Sequence, residues 1–175
     1  MSMRWLVVDG YNVLHATERY RSLTDEDLDS ARARLVAEVA AYLGPDERAV
    51  VVFDGAGNPA SDGSPHEIAD VTVVFSAFGT DADTVVEHIV ARHRAAGDQV
   101  VLVTSDQAMQ WTAMGRSVVR MSSAEFAREL GEESVDRGEH MRDGYGVTLD
   151  RRIDPETREQ LARWARGTAP REDRS

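Results

Sequence analysis

Aspartates recur just after short apolar runs in this sequence. Asp9 follows the run 5–8, Asp54 follows the run 49–53, and Asp106 follows 100–103 after one threonine and one serine. Asp9 is succeeded by Gly10, Tyr11 and Asn12, and Asp54 by Gly55. A further acidic group, Asp81, Asp83 and Glu87, opens what reads as a helix. Crowded carboxylates repel and push one another toward the protonated form unless a cation, a shared proton or an arginine intervenes. Hard oxygen donors of this kind favour magnesium or manganese. A metal so held orients and activates water and neutralises charge on a phosphate, which is the chemistry of phosphodiester hydrolysis. Asn12 adds an amide beside the first carboxylate. Asp83 and Glu87 lie four residues apart on one helix face, which suits a metal-binding acid with a water-holding neighbour.

Each member also has an ordinary reading. An aspartate before glycine is common turn chemistry, which covers Asp54, and Asp81 can serve as a first-turn helix acid after a Thr80 cap. Glu87 can pair with Arg92 or face solvent. Ser105 reads as a helix cap or a hydrogen-bond donor at the rim rather than a nucleophile. No histidine stands at a spacing that makes a Ser/His/Asp triad readable, and His15, His66, His88, His93 and His140 lack metal-ligand spacing. His66 falls in a loop that could meet a substrate. Trp111 and Trp164 read as core. The recurrence of the pattern, rather than any one aspartate, carries the metal-site reading.

These residues need elements to position them. Continuous apolar runs read as strands buried on both faces, and such strands belong to parallel sheets. Strands are expected at 4–9, 48–54, 71–75, 99–104 and 117–120. The segment 11–24 reads as a polar loop. Thr24 is a candidate N-cap for a helix carrying Leu28, Ala31, Leu35, Val39 and Leu43 at helical spacing, stopped by Gly44 and Pro45. The stretch 55–65, with three glycines and two prolines, reads as a mobile loop. Thr80 can cap a helix from 81 to about 96, with Val85, Val86, Ile89 and Val90 as its buried stripe. A short helix with Met109, Trp111 and Met114 follows the fourth strand. Ser122 to Glu125 forms a capping box for a helix to about 130. An acidic, glycine-containing connector spans 131–150, and 155–166 is an amphipathic helix with Leu161 and Trp164 inward. Alternating strands and helices imply a mostly parallel, three-layer α/β fold, in which the carboxyl ends of the strands share one rim. No compositional break divides the chain, so a single domain over 1–175 is expected, its core at about 4–130 and the connector and last helix over 131–175.

Composition removes other chemistries. The sequence has 175 residues, no cysteine, and no lysine among its 20 basic residues. Disulfides, zinc–thiolate sites, thiol nucleophiles, Schiff bases and lysine-dependent phosphate loops are thereby excluded. The net charge of −11 argues against gripping bare nucleic acid by bulk attraction, but leaves room for a local arginine-lined groove. No apolar run approaches the roughly 20 residues of a membrane span, and no signal peptide is visible, so a cytoplasmic location is expected.

The motif from Val8 through Asp9, Gly10, Tyr11 and Asn12 to His15 resembles the opening of the NYN domain family, PIN-like nucleases with a three-layer α/β fold. Val51 to Gly55 resembles that family's second strand, Ala82 to Glu87 its helix start, Val103 to Asp106 its fourth-strand Ser-Asp motif, and Arg120 to Ser123 the arginine and serine after its fifth strand. Spacing and length are similar to the YacP-like branch, which includes bacterial ribosome-associated endoribonucleases. The resemblance implies a PIN-like domain whose five-stranded, mostly parallel sheet has an order near 3-2-1-4-5. It implies metal-dependent RNA cleavage, with Asp9, Asp83 and Asp106 as metal ligands and Asn12 as a fourth catalytic residue. Asp81 and Ala82 stand where the branch often has threonine and alanine. That leaves a choice between Asp81 and Asp83, of which Asp83 is favoured because Glu87 then falls where the family's glutamate does. Asp54, Asp81, Glu87 and Ser105 are supporting candidates, and Arg19, Arg21 and Arg120 are candidate phosphate contacts. The expected cofactor is Mg2+ or Mn2+, and the expected partner is RNA, free or on the ribosome. Two other readings compete: a non-catalytic RNA or ribosome adaptor, favoured by the negative charge, and a phosphatase with Asp9 as nucleophile. The latter wants a second aspartate where Tyr11 stands.

Overall fold

The computed structural model describes residues 3–105, 117–140 and 155–167. Chain order is β1 (Arg4–Asp9), α1 (Gly10–Ala16), α2 (Glu18–Glu26), α3 (Leu28–Tyr42), β2 (Glu47–Phe53), β3 (Pro65–Ile68), β4 (Val71–Phe75), α4 (Ala82–Ala95), β5 (Gln99–Thr104), β6 (Val118–Ser122), α5 (Ser123–His140) and α6 (Pro155–Ala165). The sheet runs β3-β4-β2-β1-β5-β6, and all its pairings are parallel except β3 with β4. This is a mostly parallel, PIN-like α/β/α architecture. The expected order holds, with one strand added at an edge.

That added strand corrects the five-stranded expectation. The segment Pro65 to Ile68 is expected as the end of a loop and its exit. Instead it turns at Ala69 (φ 52°) and Asp70 to pair antiparallel with β4. Proline is tolerated at the first position of an edge strand because no ladder partner needs its missing N–H.

The expectation of a loop over 11–24 is also corrected. Asp9 caps α1 by accepting from Asn12 N, so Gly10 and Asn12, which signal a turn in isolation, stand in a helix's first turn. Val13 and Leu14 then enter the core. The sequence of α2 is polar except at Tyr20 and Leu23; Leu23 packs half-buried at the core's edge, and Tyr20 is fully buried with its hydroxyl bonded to Glu38. One tertiary anchor outweighs the polar composition there. The N-cap of α3 is Asp27, bonded to Asp29 N and Ser30 N, rather than Thr24, whose hydroxyl bonds back to Tyr20 O inside α2. Likewise Asp81, not Thr80, caps α4. Finally, α5 continues to His140, so the first half of the stretch expected as an irregular connector is helical; 141–150 lies outside the described residues.

Alternation along the strands sorts the core into two faces. Leu6, Val8, Ala49, Val51, Phe53, Val71, Val73, Val101 and Val103 face the helices α1, α2, α3, α5 and α6. Val7, Val50, Val52, Val74, Val100 and Leu102 face α4, through Ala82, Val86, Ile89 and Val90. Leu161 and Trp164 of α6 are buried in the first face, as their spacing predicts. Among the described residues, no helix is long and apolar enough to cross a membrane.

Candidate functional site

The α4 face fixes where the acids go. Asp9 has the parity of Val7, Asp54 that of Val50 and Val52, and Thr104 that of Val100 and Leu102, so all three leave the carboxyl ends of adjacent strands on the α4 side. The first turn of α4, with Asp83, opens at the same rim. Asp81 and Asp83 divide the work there. Asp81 Oδ1 accepts from Thr84 N at 2.8 Å and closes the helix end, which holds its carboxyl below the usual range. Asp83 is exposed and acts electrostatically on Asp9.

Asp9 is the centre of the arrangement. It is 7% exposed. One carboxylate oxygen accepts from Asn12 N at 3.2 Å and the other from Asn12 Nδ2 at 3.1 Å. The same Nδ2 reaches Thr104 Oγ1 at 3.4 Å, tying α1 to β5. Burial raises the Asp9 pKa to about 6, the Asn12 backbone bond lowers it, and the charges of Asp83 and Asp54 raise it. His15, one turn further along α1 and exposed, exerts a small opposing pull. Among the described residues, no arginine makes an ion pair with Asp9, Asp54 or Asp83.

Gly10 and Gly55 let the backbone pass close to its neighbours here. A Cβ on Gly10 would lie 2.4 Å from Phe53 Cε1, and one on Gly55 would lie 2.3 Å from the carbonyl oxygen of Ser76. Gly55 N donates to Ser76 Oγ at 2.8 Å, which holds the turn after Asp54 against β4. Asp54 itself is exposed and accepts from Ala56 N at 2.8 Å, so it serves both as a turn residue and as a charge near Asp9. Tyr11 packs on Phe53 at 5.2 Å, and its hydroxyl accepts from Arg32 Nε and Nη2 at 3.1 and 2.6 Å. Arg32 also pairs with Asp29, so the tyrosine of the opening motif serves the fold on the far side of the sheet from the acids.

The structure thus sets Asn12 on Asp9 and brings Asp83 and Asp54 within electrostatic reach of it. Glu87 is exposed on α4 one turn beyond Asp83, and Ser105 is half-buried just past β5. Asp106 and Trp111 lie outside the described residues. Arg19 is ion-paired to Glu38 and lies over the Tyr20 ring, while Arg21 is exposed and makes a surface contact with Glu18 at 3.3 Å, one turn back on α2. Arg120 is exposed on β6. His66 is in β3, stacked on Trp164 with ring centroids 4.2 Å apart, rather than in a loop. Sequence reasoning passed over Thr104 and His15. Thr104 was legible from strand parity, since it is two residues beyond Leu102.

Among the described residues, no three of His, Asp and Glu stand close enough to hold a metal ion as a ready-made cage. The donor chemistry nevertheless suits a divalent cation. A buried carboxyl oriented by an amide, with two further carboxylates raising its pKa and no described arginine ion-paired to it, is stabilised by positive charge.

The sequence profile of the family described as the YacP-like NYN domain matches residues 6–166. The uncharacterized protein YacP of Bacillus subtilis (strain 168) is 29% identical over 135 residues, which cover 75% of this chain and 76% of that protein. Two crystal structures of Rae1 (YacP) from Bacillus subtilis are similar. A mutant form superposes with a TM-score of 0.60 at 25% identity, covering 90% of this chain and 98% of that one. The other superposes with a TM-score of 0.57 at 26% identity, covering 95% and 96%.

Proposed function

The chain belongs to the YacP-like NYN family, and from that premise we propose that it is a divalent-metal-dependent endoribonuclease acting in the cytoplasm on single-stranded or ribosome-held RNA. One observation carries the reading: Asp9, buried at the carboxyl rim of the sheet, has its pKa raised by burial and by the charges of Asp83 and Asp54, with no arginine of the described residues paired to it.

Asp9 and Asp83, joined by Asp106, would hold magnesium or manganese. Bound there, the ion would supply an activated water and neutralise charge on the scissile phosphate. Asn12 fixes both oxygens of Asp9, so the carboxylate cannot rotate away from the rim. Thr104 holds the Asn12 amide in turn. Burial keeps bulk water off Asp9, which strengthens every charge interaction at the rim. Ser105, half-buried just past β5, would donate its hydroxyl to a phosphate oxygen or a water, and the Asn12 amide oxygen, left over after its N–H groups hold Asp9 and Thr104, would accept from a water.

The test is manganese titration by calorimetry alongside cleavage of single-stranded RNA, on the wild type and on Asp9→Asn. Saturable manganese binding and cleavage, both lost in Asp9→Asn, support the reading; unchanged cleavage in that variant sinks it. The adaptor reading draws on the net charge of −11 and on arginines such as Arg19, Arg21, Arg32 and Arg158 being engaged in ion pairs. Such an adaptor would bind its partner without manganese at the acid rim.

A further inference from the structure

We propose that Phe78 is a stacking platform for an RNA base flanking the scissile phosphate, an inference that rests on the nuclease reading above. Phe78 is 58% exposed, and it is the one aromatic ring among the exposed large apolar side chains of the described residues; the others are Leu28, Val119 and Val135. A phenyl ring left in water forgoes a sizeable burial gain, so its place in the fold matters.

It stands in the segment 76–80, between the carboxyl end of β4 and the cap of α4. That segment is held on both sides. Ser76 is fully buried and accepts from Gly55 N, Phe78 N donates to Ser61 O at 2.9 Å, Gly79 N to Ala56 O at 3.0 Å, and Thr80 N to Ala77 O at 2.9 Å. The loop after Asp54 and the loop before Asp83 are thereby stitched together, with the ring presented outward from a braced backbone. A ring so held loses little freedom when a base stacks on it.

Asp83 is five positions along from Phe78, and the reach of an extended chain caps their Cα separation at about 18 Å. One short oligonucleotide can therefore touch the ring and the acids together. Charge supplies a second reason. With a net charge of −11 and several of its described arginines in ion pairs, among them Arg19, Arg21 and Arg32, this chain gains from a source of RNA affinity other than bulk attraction. Stacking on an aromatic face provides one, and it tolerates any base because every base has a π-face.

The experiment uses full-length protein and a mixed-sequence single-stranded RNA. In an Asp9→Asn background, Phe78→Trp adds a fluorophore whose emission RNA should quench relative to Asp9→Asn alone. In the active protein, Phe78→Ala should raise KM about five- to hundredfold while kcat stays within about twofold, and Phe78→Trp should restore KM. Absence of quenching together with an unchanged KM in Phe78→Ala overturns the platform. Cleavage by the wild type with no quenching removes the platform and leaves the nuclease standing. Quenching by RNA in a protein that cleaves none removes the nuclease and leaves the platform.

Discussion

Asn12 grips the Asp9 carboxylate twice, its backbone N–H reaching one oxygen at 3.2 Å and its side-chain amide the other at 3.1 Å. The backbone bond caps α1 and survives any substitution except proline; the amide bond orients the carboxylate and does not. Asn12→Ala should therefore keep the fold, cost about 1 kcal/mol, and lower RNA cleavage about 10- to 100-fold. Chemical denaturation paired with a cleavage assay checks both numbers.

Asp9→Asn should lower cleavage about a hundredfold or more and stabilise the metal-free protein at neutral pH. The sign follows from the raised pKa, about 6 against an ordinary 3.8. A carboxyl with a raised folded-state pKa contributes stability that is complete below pH 4 and lost as pH climbs through 6. Asparagine caps a helix as well as aspartate does and carries no charge to bury. The gain at pH 7.5 should approach but not exceed about 3 kcal/mol. Melting curves at pH 4 and 7.5 test it: the variant's advantage should be small at the lower pH, grow between about pH 4 and 6, and be complete at the higher pH.

Asp81 and Asp83 separate cleanly by substitution. Asp81→Asn retains the cap and should leave cleavage near the wild-type rate. Asp83→Asn removes a charge that raises the Asp9 pKa, so the Asp9 titration, followed by carbon-detected NMR, should move downward while cleavage falls. A drop in cleavage for Asp81→Asn alone would reverse the assignment.

Asp27 binds α6 to the start of α3. Its carboxylate accepts from Ser30 Oγ at 2.6 Å and pairs with Arg158, which together lower its pKa to about 2. Stability from this group is present above about pH 4 and lost as pH falls through 2. Arg158→Ala should loosen α6 and quicken hydrogen exchange at Leu161 and Trp164, with β1 and β5 unaffected.

Gly10→Ala should be among the most damaging single-methyl additions. The new Cβ would meet the Phe53 ring at 2.4 Å, and overpacking of this kind costs about 1–3 kcal/mol. Phe53→Leu in the same chain should recover part of the loss, read by thermal melting.

The rim was legible because strand parity and parallel topology are written in short apolar runs. Once 5–8, 49–53 and 100–103 are read as neighbouring parallel strands, Asp9 and Asp54 must emerge at one end. What escaped was structure carried by single tertiary anchors. The sequence of α2 looks like a loop until Tyr20 is buried against Glu38. The strand β3 looks like the tail of a glycine-rich loop until it finds the edge of β4. Arg19 looks like a free cation until Glu38 of α3 takes it up. Local pattern cannot report partners that lie elsewhere in the fold.

The first strand made is the one that ends in the middle of the sheet. β1 pairs with β2 on one side and with β5 on the other, some 95 residues further along. During synthesis Asp9 therefore stays open to water until 99–104 have emerged and docked, and neither its burial nor its link to Thr104 exists before then. On the proposed nuclease reading, the acid rim is complete only after more than half the polypeptide has been made, so unfinished copies should do no cutting.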